Sequence, residues 1–164
     1  MLRRRNGGVQ VFISNFEIRL ACQRDALHIA EMSRQLIEVG LGWSWTPARV
    51  LRSLQDRNTN VAVAHEGGRI IGFGIAQYQS DEAHIALFAV ASARRRCGVG
   101  TALMQWMEET ALTAGIGVIY LEARLSNVGA RAFYRKMGYR EVKLVPGMYR
   151  GIETGVRLAK DLWS

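Results

Sequence analysis

One stretch constrains this chain more than any other: Arg94-Arg95-Arg96-Cys97-Gly98-Val99-Gly100. It lies between an apolar run that reads as a strand, His84 to Val90, and an amphipathic run that reads as a helix, Thr101 to Ala114. A glycine-containing loop that opens a helix presents backbone N–H groups with no intrahelical partner, and the helix dipole adds positive potential at the same point. The arginines beside it deepen that potential. A strand, such a loop and a helix together make a seat for a pyrophosphate, and they demand a sheet against which the helix can pack.

The flanking segments say what kind of sheet. Asn60 to His65 and Arg69 to Gln79 are strands joined by Glu66-Gly67-Gly68, a hairpin signal, and Ser80-Asp81-Glu82 turns the chain into the strand Ala83 to Val90. Strands joined this tightly are antiparallel neighbours. After the arginine loop the helix Gly98 to Ala114 stops at Gly115-Ile116-Gly117, and Val118 to Ala123 is the next strand, so this unit predicts a parallel pair. Earlier, Phe16 to Leu20 reads as a strand and Asp25 to Val39 as a helix with Ala26, Ala30, Ser33 and Ile37 on one face and Gly40 as its cap. Thr46-Pro47 starts a second helix that should end near Asp56. Later, Asn127 to Met137 is a helix capped by Gly138, Tyr139 to Val142 a short strand, and Tyr149 to Leu162 a last strand whose edge offers a surface for a homodimer. The expectation is one α/β domain over residues 16–164 with a mixed, mostly antiparallel sheet flanked by helices, preceded by a flexible extension over residues 1–15.

Composition excludes several classes. No apolar stretch approaches the roughly 18 residues of a membrane span, and Val11-Phe12-Ile13 is too short for the apolar region of a secretory signal. Two cysteines, Cys22 and Cys97, and three scattered histidines give neither a disulfide framework nor metal-ligand spacing, which fits a reducing cytoplasm and no metal. The net charge of +8 rests mostly on arginine, since only Lys136, Lys143 and Lys160 are lysines. That favours an anionic ligand, either a phosphorylated cofactor or nucleic acid, and charge alone does not separate the two.

Two familiar phosphate loops do not fit. Gly100 is followed by Thr101-Ala102, without the lysine of a nucleotide-triphosphate loop, and Leu103 stands where a dinucleotide fingerprint needs a third small residue. The order antiparallel strands, strand–Arg-x-x-Gly-x-Gly–helix, strand, then Asn–helix–Tyr resembles the GNAT family of acetyl-CoA-dependent N-acetyltransferases. Arg95-Arg96-Cys97-Gly98-Val99-Gly100 matches that family's central pattern, and Leu121 to Asn127, Phe133-Tyr134 and Met137-Gly138-Tyr139 match its later one. Within the family the Asn-to-Tyr stretch is most similar to enzymes that acetylate ribosomal-protein N-termini.

The resemblance implies a central sheet splayed to admit acetyl-CoA, with direct acetyl transfer in a ternary complex. It implies that backbone groups from Arg95, Arg96, Cys97, Gly98, Val99, Gly100 and Thr101 cradle the pyrophosphate of coenzyme A. Phe88, Ala89 and Val90 would pair with the pantetheine arm. Asn127 would bond the same arm, or serve only as the helix N-cap. Tyr134, seven residues on and on the same helix face, would protonate the leaving thiolate, and otherwise is a core aromatic. The amine's proton would go to His84, with Glu122, Glu82 and water as other bases, and Glu122 could instead pair Arg124 or Arg131. Trp43 and Trp45 would wall the acceptor pocket, or fold onto the core. Cys97 departs from the family pattern and, as direct transfer needs no thiol, is not read as a nucleophile. The acceptor is a small-molecule amine or a peptide N-terminus; nucleic acid and membrane are not expected. The rival reading is a non-catalytic acyl-CoA sensor or an RNA- or ribosome-binding module, for which His84 and Tyr134 would be dispensable.

Overall fold

The computed structural model describes residues 15–164, and before them the backbone of residues 5–6 and 9–10. The extension expected over residues 1–15 otherwise lies outside the described residues. Its two described pieces, β1 (Arg5–Asn6) and β2 (Val9–Gln10), pair antiparallel. The remaining strands are β3 (Glu17–Leu20), β4 (Thr59–Glu66), β5 (Arg69–Tyr78), β6 (Glu82–Val90), β7 (Val118–Arg124), β8 (Arg140–Tyr149) and β9 (Glu153–Asp161). They form one seven-stranded sheet in the order β3-β4-β5-β6-β7-β9-β8. The pair β6–β7 is parallel, as the strand–helix–strand unit requires, and the others are antiparallel.

Helices cover both faces. α1 (Ala26–Leu36) and α2 (Pro47–Gln55) pack on one side, with Ile29, Val50, Val61, Val63, Phe73 and Ile75 in their core. α2 begins as expected: the Thr46 side chain accepts from the Arg49 N–H, and Pro47 occupies the first turn. α1 ends at Leu36, three residues earlier than expected, because Glu38 turns inward and Gly40, at φ +76°, belongs to the following loop. On the other side lie α3 (Val99–Thr113) and α4 (Val128–Lys136), over a core that includes Leu103, Met107, Leu121, Tyr134 and Leu158.

One irregularity shapes the middle of the sheet. The β5–β6 register shifts between Ile75 and Ala76, which pair Leu87 and Ile85, so Ala86 is an extra residue, a β-bulge. Side chains of one parity change faces there: Ala83 and Ile85 pack under α3, whereas Leu87 and Ala89 pack under α1 and α2. The same residue marks the end of the parallel pairing, since β6 meets β7 only from Glu82 to Ile85. Beyond it the two strands diverge, and the sheet is splayed.

Two expectations at the C-terminal end need correction. The strand expected from Tyr139 to Val142 runs to Tyr149, because Pro146 and Gly147 sit in a register irregularity instead of ending the strand. The last strand is not an edge: β9 lies between β7 and β8. The outer strands are β3 and β8.

Candidate active site

The arginine loop is built by two left-handed turns. Arg96 has φ +63° and Gly98 φ +82°, and Gly98 is the N-cap of α3. No side chain caps this helix, so its first N–H groups are open to a ligand. Arg94 pairs with Glu66 at 2.6 Å and is structural; Arg95 and Arg96 are exposed and make no ion pair among the described residues. Gly100 answers a packing need, because a Cβ there would meet the Phe133 ring at 3.3 Å. The exposed Cys97 thiol lies 3.6 Å from the Arg95 carbonyl.

At the splay the outer edge of β6 has no strand partner. The Ala91 N–H donates to Ile71 on β5, so by alternation the backbone of Phe88 and Val90 turns towards the gap and that of Ala89 away from it. The Phe88 ring packs against Phe133 and Tyr134.

A cavity of about 260 Å³ opens at this gap, walled by β6, β7, α4, the α1–α2 loop and the end of β8. His84, Glu122 and Tyr134 all line it. His84 Nε2 lies 2.6 Å from Glu122 Oε2. A carboxylate only accepts, so Nε2 donates and Nδ1 is the ring's acceptor. The imidazole stacks on Tyr120, with ring centroids 4.6 Å apart. The other carboxylate oxygen accepts from Arg157, brought alongside by the β7–β9 register. Arg124 and Arg131, named as partners for Glu122, pair with Glu153 and Glu141 instead. Burial pushes the Glu122 carboxyl up, but the bonds from His84 and Arg157 outweigh it and its pKa is lowered. Glu82 is exposed at the start of β6 and does not line the cavity.

Tyr134 is buried on α4, edge-on to Phe88, Phe133 and Tyr139, and its hydroxyl makes no hydrogen bond among the described residues. Burial, then the neighbouring Tyr149, holds its pKa well above the usual phenol value. The group is therefore a proton carrier at neutral pH. Asn127 does cap α4, accepting from the Ala130 N–H at 3.1 Å.

The two tryptophans do not form a clamp. Trp43 donates from Nε1 to the Ala30 carbonyl at 3.1 Å and lies off the cavity. Trp45 is buried in the α1–α2 core, its ring covered by Arg49, and presents only one wall. The apolar α1–α2 interface takes the Trp45 ring, whereas Trp43 stays exposed outside it, beside Arg34.

Glu38, which drew no notice in the sequence, and Arg124, read there only as a partner for Glu122, shape the cavity wall. Glu38 is 7% exposed and accepts from Ser33 Oγ, from the N–H and Oγ of Ser44, and from the Trp45 N–H. Arg124 donates to the carbonyls of Ile37 and Val39, pairs with Glu153 and lies over the Tyr149 ring, which ties the α1–α2 loop to the β8–β9 hairpin. Met148 and Tyr149 close that side. Sequence spacing carries no signal for contacts between segments more than 80 residues apart. Among the described residues no cluster of side chains could hold a metal, and no helix is long and apolar enough to cross a membrane.

The chain is similar to known proteins in sequence and in fold. Residues 25–139 match the profile of the acetyltransferase (GNAT) family. The chain is 38% identical over 99 residues to an uncharacterized N-acetyltransferase of Methanocaldococcus jannaschii, covering 60% of this chain and 64% of that protein, just under two thirds of its length. It is 29% identical over 129 residues to the [ribosomal protein bS18]-alanine N-acetyltransferase of Haemophilus influenzae, covering 79% of this chain and 83% of that one. The crystal structure of Ard1 from Thermoplasma volcanium superposes with a TM-score of 0.79 at 26% identity, covering 89% and 97% of the two chains.

Proposed function

This chain belongs to the acetyltransferase (GNAT) family, and from that premise we propose that it moves an acetyl group from acetyl-CoA to the free N-terminus of a peptide in a ternary complex. The observation that carries the reading is the bulge at Ala86. The β6–β7 pairing stops beside it, at Ile85, and the cavity at this open strand edge is lined by His84, Glu122 and Tyr134. The residues fit coenzyme A: an uncapped helix start with two arginines that make no ion pair among the described residues suits a pyrophosphate, and an unpaired strand edge suits the amides of the pantetheine arm. Bound acetyl-CoA supplies an activated thioester.

His84 takes the ammonium proton at Nδ1, directly or through water, while Glu122 holds Nε2–H and stabilises the imidazolium that results. The freed amine then forms the new C–N bond as the C–S bond breaks. A backbone N–H on the open edge of β6 steadies the carbonyl oxygen, and Tyr134 passes its hydroxyl proton to the leaving sulfur and is reprotonated, through water, by the second proton that the nitrogen sheds as the amide forms. Asn127 orients the pantetheine arm with the amide nitrogen that capping leaves free. A peptide acceptor is supported by the likeness to an enzyme named for acetylating a ribosomal-protein alanine. A cytoplasmic setting is supported by the two unpaired cysteines.

Thiol release from acetyl-CoA, measured with a panel of peptides and small amines, tests the proposal. The expected result is turnover on peptide N-termini, with Tyr134→Phe lowering kcat about 10²-fold or more while acetyl-CoA binding stays intact. No turnover on any amine, together with salt-sensitive RNA binding, would return the chain to the non-catalytic reading.

A further inference from the structure

The hairpin turn after β8 carries an unusual residue. Arg150 has φ +55° and Gly151 φ +70°, the two left-handed central residues of a tight hairpin turn closed by the Ile152 N–H on the Tyr149 carbonyl, a conformation that still costs a non-glycine residue free energy. Its guanidinium lies against Gly42 on the opposite wall: a Cβ on Gly42 would come within 2.7 Å of Nη2. Gly42 is itself left-handed, at φ +79°. The guanidinium thus lies beside the cavity, against the α1–α2 loop, since Leu41 and Tyr149, next in sequence to Gly42 and Arg150, line it.

Arg150 makes no ion pair among the described residues, although a carboxylate is close in sequence. Glu153, three residues on, is held by Arg124, which also bonds the Ile37 and Val39 carbonyls. Glu38, Glu122 and His84 line the cavity, with Glu122 already paired to Arg157; beside the cavity is an exposed guanidinium that makes no ion pair among the described residues. An exposed guanidinium without an ion pair is matched to a carboxylate.

We propose that Arg150 is a specificity-determining residue that pairs with an acidic side chain of the peptide acceptor just beyond its N-terminus, so that the enzyme selects peptides with Asp or Glu near the reacting amine. The proposal rests on the transferase reading above and gives it a substrate class. A polyamine, cationic at both ends, would meet repulsion from this guanidinium.

The test uses three peptides that share a small first residue and differ at the second and third positions, which are acidic, neutral or basic. kcat/KM is measured for the full chain and for Arg150→Gly and Arg150→Glu, at low and moderate salt. Arg150→Gly removes the charge and relieves the left-handed strain, so it folds at least as well. The full chain should favour the acidic over the basic peptide by about five- to tenfold at low salt, chiefly through KM, and less as salt rises. Arg150→Gly should abolish the preference and keep kcat on the neutral peptide, and Arg150→Glu should reverse it. Turnover with no acidic preference, or a preference that survives Arg150→Gly, would overturn this assignment and leave the transferase reading standing. Absence of turnover on every peptide overturns both.

Discussion

Carboxylates set the behaviour of single residues here. Asp25, Glu38 and Glu122 are each engaged by several donors, and each has its pKa lowered. For Asp25 the Arg19 guanidinium at 2.7 Å is the main cause, helped by the Cys22 N–H and opposed by burial, and the value falls to about 2. A carboxyl whose folded pKa is depressed adds stability that is complete above its unfolded value near 4 and is lost as pH falls towards 2. Asp25→Asn should therefore cost about 1–2 kcal/mol at pH 7, the lower end allowing for solvent around the part-exposed Arg19. The gap between the two proteins in urea unfolding should close between pH 4 and pH 2. Legibility at this scale was uneven. His84 and Tyr134 stood out because the motif order singled them out, and Thr46 because its role is local. Glu38 did not, since a glutamate near a helix end reads as a solvated residue until the loop folds back over it.

Among the elements, the helices and the hairpins follow from local periodicity and turn chemistry, and the structure keeps them to within a few residues. β6 is different. Nothing in Ala83 to Val90 announces a bulge, because alternation within one strand says nothing about its partner's register. The bulge arises only when β5 and β6 pair, and it moves Leu87 and Ala89 to the other face. β8 was foreshortened for a related reason: Pro146 and Gly147 signal a break, and only an edge strand with a register irregularity absorbs them. The two walls of the acceptor cavity meet through Arg124, 22% exposed, with its donors on both. Arg124→Ala should loosen both walls and raise the acceptor KM about tenfold, with the KM for acetyl-CoA unchanged, as charged hydrogen bonds of this kind contribute about 1.5–3 kcal/mol. Equal rises in both constants would show instead that the whole site had shifted.

At the scale of the molecule, the sheet separates two helical layers, and the proposed cofactor site lies where its halves part. In the proposed reading α3 and α4 offer the anion seat and Tyr134, and the α1–α2 loop and the β8–β9 hairpin form the acceptor side. A ligand that bridges β6 and the start of α3 binds the native state alone. Acetyl-CoA at a hundred times its dissociation constant should add about 2.7 kcal/mol, which for a chain of this size raises Tm by roughly 5–10 °C. A thermal melt with and without the cofactor checks this, and an unchanged Tm would count against the proposed cradle.

The sequence by itself determined the class of fold, the helix starts, the parallel unit and the loop that seats an anion, because each depends on residues within a turn or two of one another. The splay at Ala86, the pairing of His84 with Glu122 rather than of Glu122 with its sequence neighbours, and the Arg124 tie between distant loops were decided only by tertiary structure. Each of those depends on strand register and loop closure, which bring together groups from 38 to 87 positions apart and leave no mark on local spacing.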